Sequence, residues 1–143
     1  MRSKIFFVAL FAFFALISSA FAVDAPDGSA GPLSKMTDGK MFNVEVKLER
    51  ENLVIGNNSA EILVKDADGN PVTGAYIYVK PHVARHGEST FVKPLVVEKG
   101  EGLYNAKNIY LDTQGDWILK VRVRKDDKDD SATFDFPGVK RRE

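Results

Sequence analysis

His82 and His86 are the only histidines, four residues apart in Pro81-His-Val-Ala-Arg-His-Gly87. Neutral imidazole suits Cu(II), Zn(II) or Ni(II), and a loop with this spacing can close both rings on one ion. Copper at His82 and His86 is therefore the one cofactor reading. Two ligands are an incomplete set, which Glu88, Asp66 or Asp68 would have to complete, and Arg85 between the rings opposes a cation. Solvated loop histidines are the competing reading. Asp66-Ala-Asp68-Gly-Asn70 opens like a calcium loop. The positions that need Gly and a bidentate Glu hold Pro71 and Ile77 instead, so a turn capped by its own Asp and Asn side chains is expected. Asp126-Asp-Lys-Asp-Asp130 reads as an exposed hairpin tip whose charge discourages edge pairing.

Four aromatics offer a different chemistry. Trp117 and Tyr104 each start an apolar alternation and should be packed, with Trp117 as core anchor. Tyr76 and Tyr78 fall opposite Ala75, Ile77 and Val79, so they share the wetter face of a strand. Two aromatics there mark a candidate surface for a protein partner; packing under a loop is the alternative. Catalysis has no foothold. The chain has no Gly-x-Ser-x-Gly elbow, His-Glu-x-x-His, phosphate loop or dinucleotide fingerprint, and a non-enzymatic protein is expected.

The elements that position these residues have period two. Phe42–Arg50 alternates apolar and charged residues, as a half-buried strand does. Gly56-Asn-Asn58 reads as a turn or bulge. Ser59–Val64 and Ala75–Val79 flank Asp66-Ala-Asp-Gly-Asn-Pro71, and two strands joined as a hairpin are the economical reading. Phe91–Glu98 contains Pro94, which demotes it to an edge or bulged strand. Leu103–Leu111, Trp117–Val123 and Ala132–Phe136 follow, the last stopped by Pro137-Gly138. About seven short strands with no helical period predict an immunoglobulin-like antiparallel β-sandwich, with a β-barrel as the alternative.

The start of the chain sets its compartment. Met1-Arg-Ser-Lys4 is a basic head, Ile5–Ile17 an apolar run, and Ala20-Phe-Ala22 a small-residue cleavage pattern. Together they read as a secretory signal over 1–22. The run of about 13 residues is shorter than the roughly 20 a spanning helix needs, although an uncleaved anchor is the competing reading. A flexible leader over 23–40, a single domain over 41–138 and a basic tail over 139–143 complete the division. No cysteine occurs, so disulfides, thiolate ligands and lipid attachment at the cleavage point are excluded. The chain carries 20 basic and 20 acidic residues, and removing Arg2 and Lys4 with the signal leaves a net charge of about −2. That balance disfavours nucleic acid or an anionic membrane as partner.

One set of segments resembles a known family. It comprises Val64-Lys-Asp-Ala-Asp-Gly-Asn-Pro-Val-Thr-Gly-Ala75-Tyr-Ile-Tyr-Val79, a loop with His86-Gly87, then Gly102-Leu-Tyr104-Asn-Ala106, then Gly115-Asp-Trp117-Ile-Leu119-Lys-Val121-Arg-Val123. In that order they are similar to the YtkA-like domain, related to FixH-like domains, over about residues 42–136. The resemblance implies a small exported or membrane-tethered immunoglobulin-like sandwich with no established enzymatic activity. Some members accompany copper handling or respiratory-oxidase assembly, and many carry Met and His after the Gly-Ala strand. This chain has His82 and His86 there but no Met. The expectation is a periplasmic or secreted accessory domain that engages an envelope protein partner, with copper binding or chaperoning at His82 and His86 as the alternative.

Overall fold

The computed structural model describes residues 31–86 and 90–143. The signal reading over 1–22 falls outside the described residues. Eight strands form: β1 (Leu33–Met36), β2 (Phe42–Leu48), β3 (Gly56–Asp66), β4 (Tyr76–Val83), β5 (Leu95–Gly100), β6 (Leu103–Leu111), β7 (Gly115–Lys125) and β8 (Lys128–Val139). They make two antiparallel sheets, ordered β1-β2-β3-β6-β5 and β4-β7-β8. The expected sandwich holds, with eight strands instead of seven and no helix among the described residues.

The alternation that predicts the strands also fills the space between the sheets. Val44 and Val46 of β2, Ile62 and Val64 of β3, Ile77 and Val79 of β4, and Leu119, Val121 and Val123 of β7 all point inward and are buried. Trp117 is 1% exposed and is among the largest buried side chains, so it anchors the core as its position predicts. Its indole Nε1 donates to the Thr113 carbonyl at 3.0 Å, which satisfies its one polar atom.

Four expectations need correction. First, β3 and β4 do not form a hairpin; they lie in different sheets. The chain starts to fold back, with Asp66 N donating to Asn70 O and Val72 N to Val64 O. Gly74 then takes φ 65°, and the chain leaves for the other sheet. Pro71 faces Lys65 between the two fold-back bonds, at a position where the ladder asks for no N–H, so its missing donor costs nothing there. Second, the stretch read as leader contains β1, held by its ladder with β2. All four β1 residues are exposed, so no apolar period advertises the strand. Third, β8 runs through Pro137-Gly138. It is an edge strand, where a missing N–H costs no rung. Fourth, the tail does not fray at its start. Val139 is buried, and Ile55 N donates to the Lys140 carbonyl at 3.0 Å. Other details follow the sequence: β5 begins just after Pro94 as an edge strand, and a bulge lies between Asn58 and Ala60.

Three polar side chains tie the fold together. The Tyr104 hydroxyl donates to Val72 O at 2.8 Å and accepts from Ala75 N at 3.1 Å, gripping the β3–β4 crossing. Burial pushes this hydroxyl's pKa up, which keeps it protonated as a donor. The Asn58 side chain accepts from Val54 N and donates to Val54 O, Gly56 O and Ile109 O, holding the β2–β3 connection. Asp130 on β8 accepts from the N–H groups of Gly39 and Met41 in the β1–β2 turn, so it joins the two sheets. Burial pushes its carboxyl up. Hydrogen bonds from Thr37 and from the N–H groups of Gly39, Ser131 and Met41 outweigh this and hold it below the usual carboxylate range.

Tyr104→Phe keeps the ring but leaves Val72 O and Ala75 N without their partner. The expected loss is about 1–3 kcal/mol of unfolding free energy in urea titration, with no change in slope. Asp130→Asn tests the second tie through pH. A carboxyl depressed in the folded state binds fewer protons than in the unfolded chain, so its contribution is present above an unfolded value of about 3.9. It is lost as pH falls through the lower folded value. The variant's urea midpoint should therefore lie below wild type at neutral pH, and the gap should close in acid.

Candidate functional site

Period two on β4 sends Ile77, Val79 and Pro81 into the core and Tyr76, Tyr78, Lys80 and His82 outward. The ladders place neighbours beside each. Tyr76 pairs with Arg124, Tyr78 with Arg122, Lys80 with Lys120 and His82 with Ile118. On the far side of β7, Arg124 pairs with Asp129, Arg122 with Ser131, Lys120 with Thr133 and Ile118 with Asp135. The outer face of the three-stranded sheet thus carries two tyrosines and four cations over its Tyr76–Lys80 and Lys120–Arg124 rows, where the only facing carboxylate is Asp129 of β8. Asp135 and Asp116 lie further along, and Asp116 accepts from Gly138 N at 2.9 Å.

Tyr76 is 60% exposed, whereas Tyr78 is half-buried. The Arg124 guanidinium lies over the Tyr76 ring, 5.6 Å from its centroid, within cation–π range. Arg122 grips Asp129 with both ends of its fork; Nε donates to Oδ1 at 2.7 Å. That hydrogen-bonded pair holds the Asp129 carboxyl below its ordinary range. The two-pronged contact fixes the position of the Arg122 guanidinium relative to β8.

The histidines part company. His82 stands half-buried on the sheet face, and its Nδ1 is buried with no hydrogen-bond partner. His86 is exposed in the turn after β4. It lines a cleft of about 870 Å³ at the loop end, with Arg85, Phe91, Asp112, Asp116 and Trp117 among the other walls; His82 is not one of them. Of the proposed third ligands, Asp66 is committed to its own turn, accepting from Asp68 N and Asn70 N at 2.9 Å each. Asp68 is exposed in that turn, and Glu88 lies outside the described residues. No group of three or more His, Cys, Asp or Glu residues able to hold an ion occurs among the described residues.

Two features escaped the sequence reading. The basic row was available from parity alone, since Lys120, Arg122 and Arg124 alternate with Leu119, Val121 and Val123. That row gains meaning only once β7 lies beside Tyr76 and Tyr78. The Tyr104 hydroxyl had no signal beyond Gly102-Leu-Tyr104, because its partners sit about 30 residues back in the chain.

No curated protein matches this chain. Among solved structures, it is similar to a DUF4785 family protein from Legionella pneumophila, with 11% identity and a TM-score of 0.49. The likeness covers 71% of this chain but 29% of that protein, so the chain spans less than a third of its length. The YtkA-like family profile matches residues 40–122, from the β1–β2 turn through the middle of β7. That match takes in more than half of the sequence, including the β3–β4 crossing, Tyr76, Tyr78, both histidines and Tyr104, and the chain belongs to the YtkA-like family.

Proposed function

We propose that this protein is an exported, non-catalytic accessory domain of the cell envelope, which engages a protein partner through the outer face of β4 and β7. The observation that carries the reading is Tyr76. It is a large aromatic left mostly in solvent, beside Tyr78 and beneath an arginine. Tyr and Arg are enriched among the residues that supply most of the binding energy at protein interfaces. Tyr offers broad contact area and a polar end at small entropic cost, and Arg a planar fork of donors that stacks on aromatic faces. Export rests on the head, apolar run and cleavage pattern of Met1–Ala22.

Photo-crosslinking tests the reading. A benzophenone amino acid replaces Tyr76 in producing cells, and a second strain carries it at Lys47 on the outer face of the other sheet. A light-dependent adduct at position 76 and none at 47 is expected, abolished by Tyr78→Ala plus Arg124→Ala at unchanged urea midpoint. Equal labelling at both positions, or none at 76, defeats it.

Copper binding at His82 and His86 is the second reading, favoured by the uncommitted Nδ1 of His82. Cu(II) titration followed by visible absorption should then give one saturable site, lost in His82→Ala plus His86→Ala. Binding that survives the double substitution excludes these ligands.

A further inference from the structure

We infer that the segment of the partner held on this face is extended and acidic, with Asp or Glu at alternate positions. This rests on the proposed contact at Tyr76 and Tyr78 and goes on to name the chemistry of what is held there.

Lys120, Arg122 and Arg124 project from one side of β7 at every second residue. Alternate residues of a strand are spaced about 6.8 Å apart, and an extended peptide repeats its own same-side residues at that spacing. Carboxylates at alternate positions would therefore meet the row in register, the outer two at Lys120 and Arg124 and the middle one at Arg122, which it would share with Asp129. Lys80 adds a fourth cation directly across from Lys120.

The Lys80–Lys120 pairing is the informative one. Like charges directly opposite on neighbouring strands are destabilising. Both lysines are exposed, and neither is ion-paired among the described residues. Arg122–Asp129 is the sole salt bridge among those residues. Asp135 stands in the row of His82 and Ile118, beyond Thr133. The face thus keeps positive charge that its own carboxylates do not neutralise, in a chain whose formal charge is +0. An acidic segment would relieve the repulsion on binding, so attraction and specificity come from the same groups. The tyrosines flank the row and offer apolar bodies to the aliphatic stems of the acidic side chains that face them.

The test uses the purified full chain and a fluorescent dodecapeptide of alternating Glu and Thr, read by anisotropy. Comparison probes are the same composition with its Glu residues in one block, an alternating Lys-Thr peptide, a single-stranded oligonucleotide and vesicles containing phosphatidylglycerol. The alternating acidic peptide should bind several-fold tighter than every other probe, and about tenfold more weakly at 200 mM salt than at 50 mM. Lys120→Glu plus Arg124→Glu should weaken it by about tenfold or more. Lys47→Glu plus Lys107→Glu, on the other sheet, should leave it unchanged. No preference for alternation, a preference for oligonucleotide or vesicle, or indifference to the charge reversal would overturn the inference. The benzophenone experiment separates the two claims. An adduct at position 76 that survives the charge reversal leaves the face standing and removes its acidic partner; no adduct in either background removes the face itself.

Discussion

A single phenol holds the place where the chain leaves one sheet for the other. Tyr104 reaches from β6 to the β3–β4 crossing and bonds both Val72 O and Ala75 N. Two neighbours reinforce it. Glu98 of β5 accepts from Gly74 N at 2.8 Å, and the Gly102 carbonyl accepts from Val64 N. Gly102 has no substitute here, because a Cβ at that position would lie 2.6 Å from the Val64 carbonyl oxygen and its φ is 80°. The crossing is thus gripped from the five-stranded sheet just before β4 begins. Because Tyr76 follows Ala75 directly, the same grip sets where the exposed face starts and which residues of β4 point outward.

The ties matter more because the chain has no cysteine. The faces of the two sheets meet through side chains, with backbone bonds such as Asp38 N to Ser131 O only at the margins, and the seams where the chain passes between them are the places that could open. Each tie sits at a connection: Tyr104 at the β3–β4 crossing, Asn58 at the β2–β3 connection, Asp130 between the β1–β2 turn and β8. Asn58 uses its amide on both sides, its oxygen accepting from Val54 N and its two N–H groups shared among the Val54, Gly56 and Ile109 carbonyls, so this buried polar group leaves nothing unpaired. Core burial and these polar ties act on different parts of the molecule. The apolar layer holds the sheets face to face, and the ties fix their edges and connections.

Much of the sandwich was legible because its strands are half-buried. Wherever one face is wet and one dry, alternation is written into the sequence, as in Trp117–Val123 and Phe42–Leu48. Legibility failed where a strand has no dry face. β1 is exposed along its length and owes its conformation to β2, so nothing local marks it. It failed again where a local turn has two continuations. Asp66–Asn70 forms the expected capped turn, but whether the chain then pairs or crosses is decided by Tyr104, Glu98 and Gly102, all remote in sequence. Of the candidate residues, Tyr76 and Tyr78 were readable from parity. Their cationic neighbours required knowledge of which strand lies beside β4, and that pairing is long-range. The two histidines show the opposite limit. Spacing of four suggested a shared ion, yet one belongs to the strand and the other to the turn beyond it.

The division between faces explains how a surface of this kind can exist. Inward positions of β4 and β7 are fixed by packing at crystal-like density, where a methylene more or less is felt. Outward positions meet only water and one another, so their identity is nearly free of the core. A lysine opposite a lysine would be a poor choice for a strand that depended on cross-strand pairs for its place. Here β7 is held by Trp117, Leu119, Val121 and Val123 on its inner side and by the backbone ladders to β4 and β8 along its two edges. The outer face can therefore keep exposed aromatics and unbalanced charge without loosening the fold, and that freedom is what lets one side of a small sandwich be given over to recognition.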